Sequence, residues 1–60
     1  SPPRYLELTV QEYLTFVGRI KGLHPDTLPS RMDGIMEQTG LLEVQGRVIG
    51  HLSRGYRQRV

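Results

Sequence analysis

Apolar residues recur at three- and four-residue steps along two stretches of this chain, and that spacing predicts two helices. In the first, Val10, Tyr13, Leu14, Val17 and Ile20 draw one stripe along a helix of about three turns. Thr9-Val10-Gln11-Glu12 fits a capping box, in which the threonine side chain accepts from the Glu12 backbone N–H and Glu12 reaches back to Thr9. Such a cap contributes about 1 kcal/mol. Leu8, just before the cap, is placed to staple to Tyr13. Gly22 is placed to end the helix, with Arg19 and Lys21 in a last turn whose negative end favours bases. His24-Pro25-Asp26 reads as a loop.

The second stripe comprises Leu28, Met32, Ile35, Met36 and Thr39. Pro29 suits a first helical turn, where its missing N–H is not needed. Gly40 follows as a C-terminal cap, with Leu41 as the apolar residue just past it. Gly34 lies mid-helix at a cost of about 1 kcal/mol relative to alanine, and a close helix–helix contact is the structural reason to look for there. The methionines read as core filler.

Outside these two stripes the pattern is weaker. Pro2 and Pro3 disfavour helix and leave the first residues extended. Leu41 to Val44 has room for one short helical turn, ended by Gly46. Arg47-Val48-Ile49-Gly50 then reads as an extended or irregular link, leading to a corner at Leu52-Ser53 where a further helix starts. There is no internal repeat. The expected class is all-α, a small bundle of three to four helices, with residues 1–60 as a single unit.

Size limits what such a bundle can do alone. Sixty residues bury about 60% of the surface that the unfolded chain exposes, and a core of that size supplies about 3–5 kcal/mol. With no cysteine, neither a disulfide nor a thiolate metal site is available. His24 and His51 are too far apart in sequence to read as a ligand pair, so no metal site is expected. The longest apolar run is too short to span a bilayer, and no signal peptide is visible. Eight Lys+Arg against six Asp+Glu leave a mild +2, interspersed until Arg54, Arg57 and Arg59 cluster near the end. The Ser1-Pro2-Pro3 opening without a methionine, and a last residue inside a growing helix, lead to the expectation of an excised segment.

The chemistry is concentrated in Leu52-Ser53-Arg54-Gly55-Tyr56-Arg57-Gln58-Arg59-Val60. A hydroxyl residue and a glycine two apart, at the start of a helix, make a phosphate cradle. Unpaired N–H groups and a partial positive charge lie there, Ser53 adds its hydroxyl, and Gly55 has no Cβ to keep a ligand off the backbone. Otherwise Ser53 is an N-cap and the arginines are a solvated face.

The pattern L-S-x-G-x-x-Q-R-V closely resembles the signature motif of ABC-transporter ATPases, and the order of the other elements is similar to that family's helical subdomain. Leu6 to Leu14 resembles the segment that opens the subdomain, Gly40-Leu41-Leu42 the ending of its second helix, and Arg47-Val48-Ile49-Gly50 the link to the signature. The first three residues and the motif look most like the branch with gliding-motility and sodium-extrusion ATPases. The resemblance implies a helical subdomain of an ATP-binding subunit that meets a second subunit head to tail. ATP and magnesium are held in that full-length dimer. Ser53, Arg54, Gly55, Tyr56 and Gln58 would be the ATP-binding signature, contacting in trans the γ-phosphate of ATP held by the partner, with a transmembrane permease as the further partner. Location at the inner face of the plasma membrane follows from that partner.

Two positions depart from the pattern. Arg54 stands where the commonest form has glycine, and Tyr56 where it has glutamine, which puts a sugar contact by that side chain in doubt. The chain has no G-x-x-x-x-G-K-[ST] loop and no apolar strand ending in paired acids, so it carries no catalytic residue and is expected to be inactive alone. The alternative reading is a small helix-turn-helix module with Arg54, Arg57 and Gln58 on a recognition helix. The weak overall charge and the long, irregular turn before Ser53 argue against it, and nucleic acid is not an expected partner.

Overall fold

A computed structural model describes residues 2–59, with side chains through Gly55. The described residues form three α-helices, α1 (Val10–Ile20), α2 (Leu28–Thr39) and α3 (Ile49–Arg59), with one 3-10 turn, Arg4–Glu7, before α1 and another, Leu42–Val44, between α2 and α3. Among the described residues there is no strand, only an isolated antiparallel bridge between Thr9 and Val48. The chain is an all-α bundle in which α1 packs on α2, the second turn on α2, and α3 on the first turn.

α1 begins where the sequence places it. Glu12 N–H donates to Thr9 Oγ1 at 3.1 Å, and Thr9 N–H donates to Glu12 Oε1 at 2.9 Å, completing the capping box. The next two orphan donors of the first turn are taken by distant backbone, Val10 N–H by the Arg47 carbonyl at 3.1 Å and Gln11 N–H by the Gln45 carbonyl at 3.0 Å. The positive end of α1 is therefore fully occupied within the chain. Tyr13 sets its ring against Tyr5, centroids 5.7 Å apart.

Both helix ends close on a glycine. Gly22 and Gly40 are the only described residues with positive φ, at 81° and 73°, a region L-residues avoid. Leu23 N–H reaches the Gly18 carbonyl and Gly22 N–H the Arg19 carbonyl, the paired bonds of a Schellman motif. Leu41 and Gly40 repeat this on the Met36 and Glu37 carbonyls.

The core is small: Val10, Leu28, Met32 and Met36, with Leu14, Leu23, Leu41, Val44, Ile49 and Leu52 packed around it. Met36 is the most enclosed, at 1% exposure. α2 buries Leu28, Met32 and Met36, a four-residue ridge. Ile35, expected on that stripe, stays 42% exposed. α1 likewise turns Val10, Leu14 and Gly18 inward, while Ile20 is 68% and Phe16 56% exposed. A four-residue ridge is what packs into the groove of a neighbouring helix, and it leaves the other positions of each sequence stripe on the flank.

The close helix–helix approach is at Gly18 and not at Gly34. A Cβ at Gly34 would meet nothing, whereas one at Gly18 would collide with Leu28 Cδ1. Gly50 is the second tight place, where a Cβ would stand 2.9 Å from the Leu6 carbonyl oxygen.

Three further expectations change. The opening residues are not extended throughout, because Arg4–Glu7 coils into a 3-10 turn between extended Pro3 and Leu8. Arg47 to Gly50 is only in part a link, because Ile49 and Gly50 already belong to α3. That helix begins four residues before Ser53 rather than at it. Val48 is bridged to Thr9 and Ile49 N–H donates to the Leu8 carbonyl at 2.9 Å. Those bonds fix the first turn upstream of Ser53, and Leu52 N–H closes it on the Val48 carbonyl at 3.2 Å.

Candidate functional site

The candidate residues lie on α3, and its packing decides what they present. Leu52 is half-buried against the core, while Ser53, Arg54 and Gly55 are exposed. The helix thus anchors through Ile49 and Leu52 and turns its polar side outward. Ser53 and Arg54 line a cleft of about 610 Å³ with His51, Gly50, Val48 and, from the opening turn, Leu6 and Glu7. Pro2 and Pro3 also line it. Gly55 lies one residue beyond, and a Cβ there would meet no neighbour. The backbone of Tyr56 and Gln58 continues α3, and their side chains, with those of Arg57, Arg59 and Val60, fall outside the described residues.

This geometry changes the chemistry read from the sequence. A helix offers unpaired N–H groups only in its first turn, and in α3 that turn is Ile49–Leu52. Ser53 and Gly55 sit in the second turn, where regular helical bonding directs each N–H to the carbonyl four residues back. What remains to offer a phosphate is the Ser53 hydroxyl, the Arg54 guanidinium and the bare surface at Gly55. Arg54 and Ser53 fit an anion; Glu7, which lines the same cleft, opposes one. Among the described side chains, neither Glu7 nor Arg54 takes part in an ion pair.

His51 shares the cleft with Ser53 and Arg54, a proximity that its place two residues before Ser53 signals in the sequence once the helix is known to start earlier. His24 plays a local part: its Nδ1 accepts from Asp26 N–H at 3.1 Å. Among the described residues no three His, Cys, Asp or Glu side chains gather as a metal site, and no helix is long and apolar enough to cross a membrane.

Fold and site together define a small helical module that displays Ser53, Arg54 and Gly55 on the exposed side of α3. The chain is 36% identical over 59 residues to an uncharacterized ABC transporter ATP-binding protein, YxlF, of Bacillus subtilis, a match covering 98% of this chain and 20% of the relative. It is 30% identical over 56 residues to the ABC transporter ATP-binding protein NatA of the same organism, covering 93% of this chain and 23% of the relative. The resemblance to ABC-transporter ATP-binding subunits therefore extends along nearly the whole chain. The chain spans about a fifth of the length of these curated relatives. No family model and no solved structure matches it.

Proposed function

We propose that this chain is the helical subdomain of an ABC-transporter ATP-binding subunit and supplies that subunit's signature segment. The observation that carries the reading is the exposure of Ser53, Arg54 and Gly55 on a helix anchored from behind by Leu52. A surface that acts on a nucleotide held by another subunit has to face outward, and this one does. Its likeness to two ABC transporter ATP-binding proteins supports the same reading.

In this role two subunits meet head to tail, and Ser53 donates its hydroxyl to the γ-phosphate of ATP held by the other. Arg54 adds positive potential in a cleft from which closure expels water, where such a charge acts more strongly than in bulk solvent. Gly55 keeps the helix surface bare so that the phosphates approach, and Tyr56 and Gln58 follow on the same helix. Magnesium and the loop that wraps the β-phosphate belong to the remainder of the subunit, because this chain lacks the sequence for either. The segment closes the site and stabilises transition-state charge; it moves no proton. The permease is the further partner and places the subunit at the cytoplasmic face of the membrane, in the exporter branch that the motif resembles.

The test is Ser53→Ala in the full-length subunit, read as steady-state ATP hydrolysis alongside nucleotide binding. Loss of one donor to developing charge lowers turnover by about 10²-fold, with binding to the subunit's own loop retained. Turnover equal to wild type would exclude the role. The 60-residue chain by itself is expected to show no hydrolysis.

A further inference from the structure

α3 owes its placement to one seam. It packs chiefly on the opening turn, Arg4–Glu7, and two backbone contacts set the height of that seam. Ile49 N–H donates to the Leu8 carbonyl at 2.9 Å, and Gly50 lies against the Leu6 carbonyl. A Cβ at Gly50 would stand 2.9 Å from that oxygen and 3.5 Å from Leu6 Cβ. The first distance is about 0.5 Å short of the 3.4 Å at which ordinary contact begins. The turn has little room to yield. Leu6 N–H donates to the Pro3 carbonyl and Leu8 N–H to that of Tyr5, while the Tyr5 ring is braced against Tyr13 of α1.

We infer that Gly50 is a positioning residue for Ser53, a role that rests on the nucleotide contact proposed above. Ser53 and Arg54 follow Gly50 by three and four residues, one helical turn further along the same face. Both line the cleft that Gly50 and Leu6 line. The side of α3 seated on the opening turn is therefore the side that carries the Ser53 hydroxyl. Without a Cβ at residue 50 the helix settles onto the Leu6 carbonyl; with one, that face lifts by about 0.5 Å and takes Ser53 with it. Groups that meet a reacting centre have to be held within about 0.5 Å of their productive place, and a shift of about 1 Å costs about 10²-fold in rate. Both sides of the contact belong to this chain, so it is independent of which surfaces the remainder of the subunit covers.

Steady-state ATP hydrolysis by the full-length subunit, measured together with the stoichiometry of ATP binding, tests this in Gly50→Ala, Ser53→Ala and the double variant. Gly50→Ala is expected to lower kcat about 10-fold, with stoichiometric binding and KM near wild type. Because Gly50 acts through Ser53, the double variant falls no further than Ser53→Ala alone, whereas independent effects would multiply. Wild-type kcat in Gly50→Ala beside a depressed Ser53→Ala overturns the positioning role and leaves that of Ser53 standing. Loss of stoichiometric ATP binding in Gly50→Ala makes Gly50 a folding residue and overturns it too. So does a double variant at the product of the two single losses. Wild-type turnover in Ser53→Ala removes both roles.

Discussion

Two glycines in the middle of helices have opposite reasons to be there. At Gly18 an added Cβ runs into Leu28 Cδ1 inside the core, whereas at Gly34 it enters open space. Gly34→Ala therefore gains the helix preference of alanine, about 1 kcal/mol, without a collision. Gly18→Ala gains the same preference but overpacks the α1–α2 contact by about 1–3 kcal/mol, so it is neutral to destabilising. Urea denaturation of the pair should move the midpoints apart, with Gly34→Ala above wild type; equal midpoints would show that the contact relaxes freely. The sequence marks both residues as helical glycines and cannot rank them, because the distinction belongs to what faces each one. The caps are another matter. Thr9, Glu12, Gly22 and Gly40 were legible because each acts on backbone within a few residues of itself. Ile20 and Ile35 were misplaced for the converse reason: periodicity finds the apolar side of a helix, while the neighbouring helix selects which ridge of that side is covered.

At the scale of elements, α3 is where local reading and structure part. A serine followed by glycine is a good helix start, and nothing within the segment itself contradicts one. The start is moved upstream by backbone that is distant in sequence: the Leu8 carbonyl, bonded to Ile49 N–H, and Thr9, bridged to Val48. The polar pattern of Ser53 and Arg54 agrees with their exposure, but their position relative to the helix end is not legible in the sequence. Gly50 measures how much this junction matters. A Cβ there would press on the Leu6 carbonyl oxygen, a backbone atom that cannot swing aside. Gly50→Ala should displace the opening turn from α3. The expected loss is about 1–3 kcal/mol by overpacking, and amide exchange at Leu6 and Leu8 should accelerate. Unchanged exchange would mean that the turn and the helix are held by other contacts. Gly55→Ala, in contrast, adds a methyl to open surface and should stabilise the free chain by about 1 kcal/mol, while hindering the phosphate approach proposed for the full subunit.

For the whole molecule, the small core sets the margin. Four buried side chains carry it, and Met36 is the deepest. Met36→Ala costs about 2–5 kcal/mol against a total near 3–5 kcal/mol, so the variant should lack a cooperative thermal transition by circular dichroism. A variant that still melts cooperatively would show stability well above that expected for this size. The bridge between Thr9 and Val48, with the Val10–Arg47 and Leu8–Ile49 bonds beside it, has a consequence in time as well as in space. The α1–α2 pairing needs only the short loop through His24 to close, whereas this junction must bring together positions far apart in the chain, at a greater entropic cost. The helical hairpin is therefore expected to form first and the junction to latch last. Damage to the latch should then hasten unfolding while leaving the refolding rate nearly unchanged.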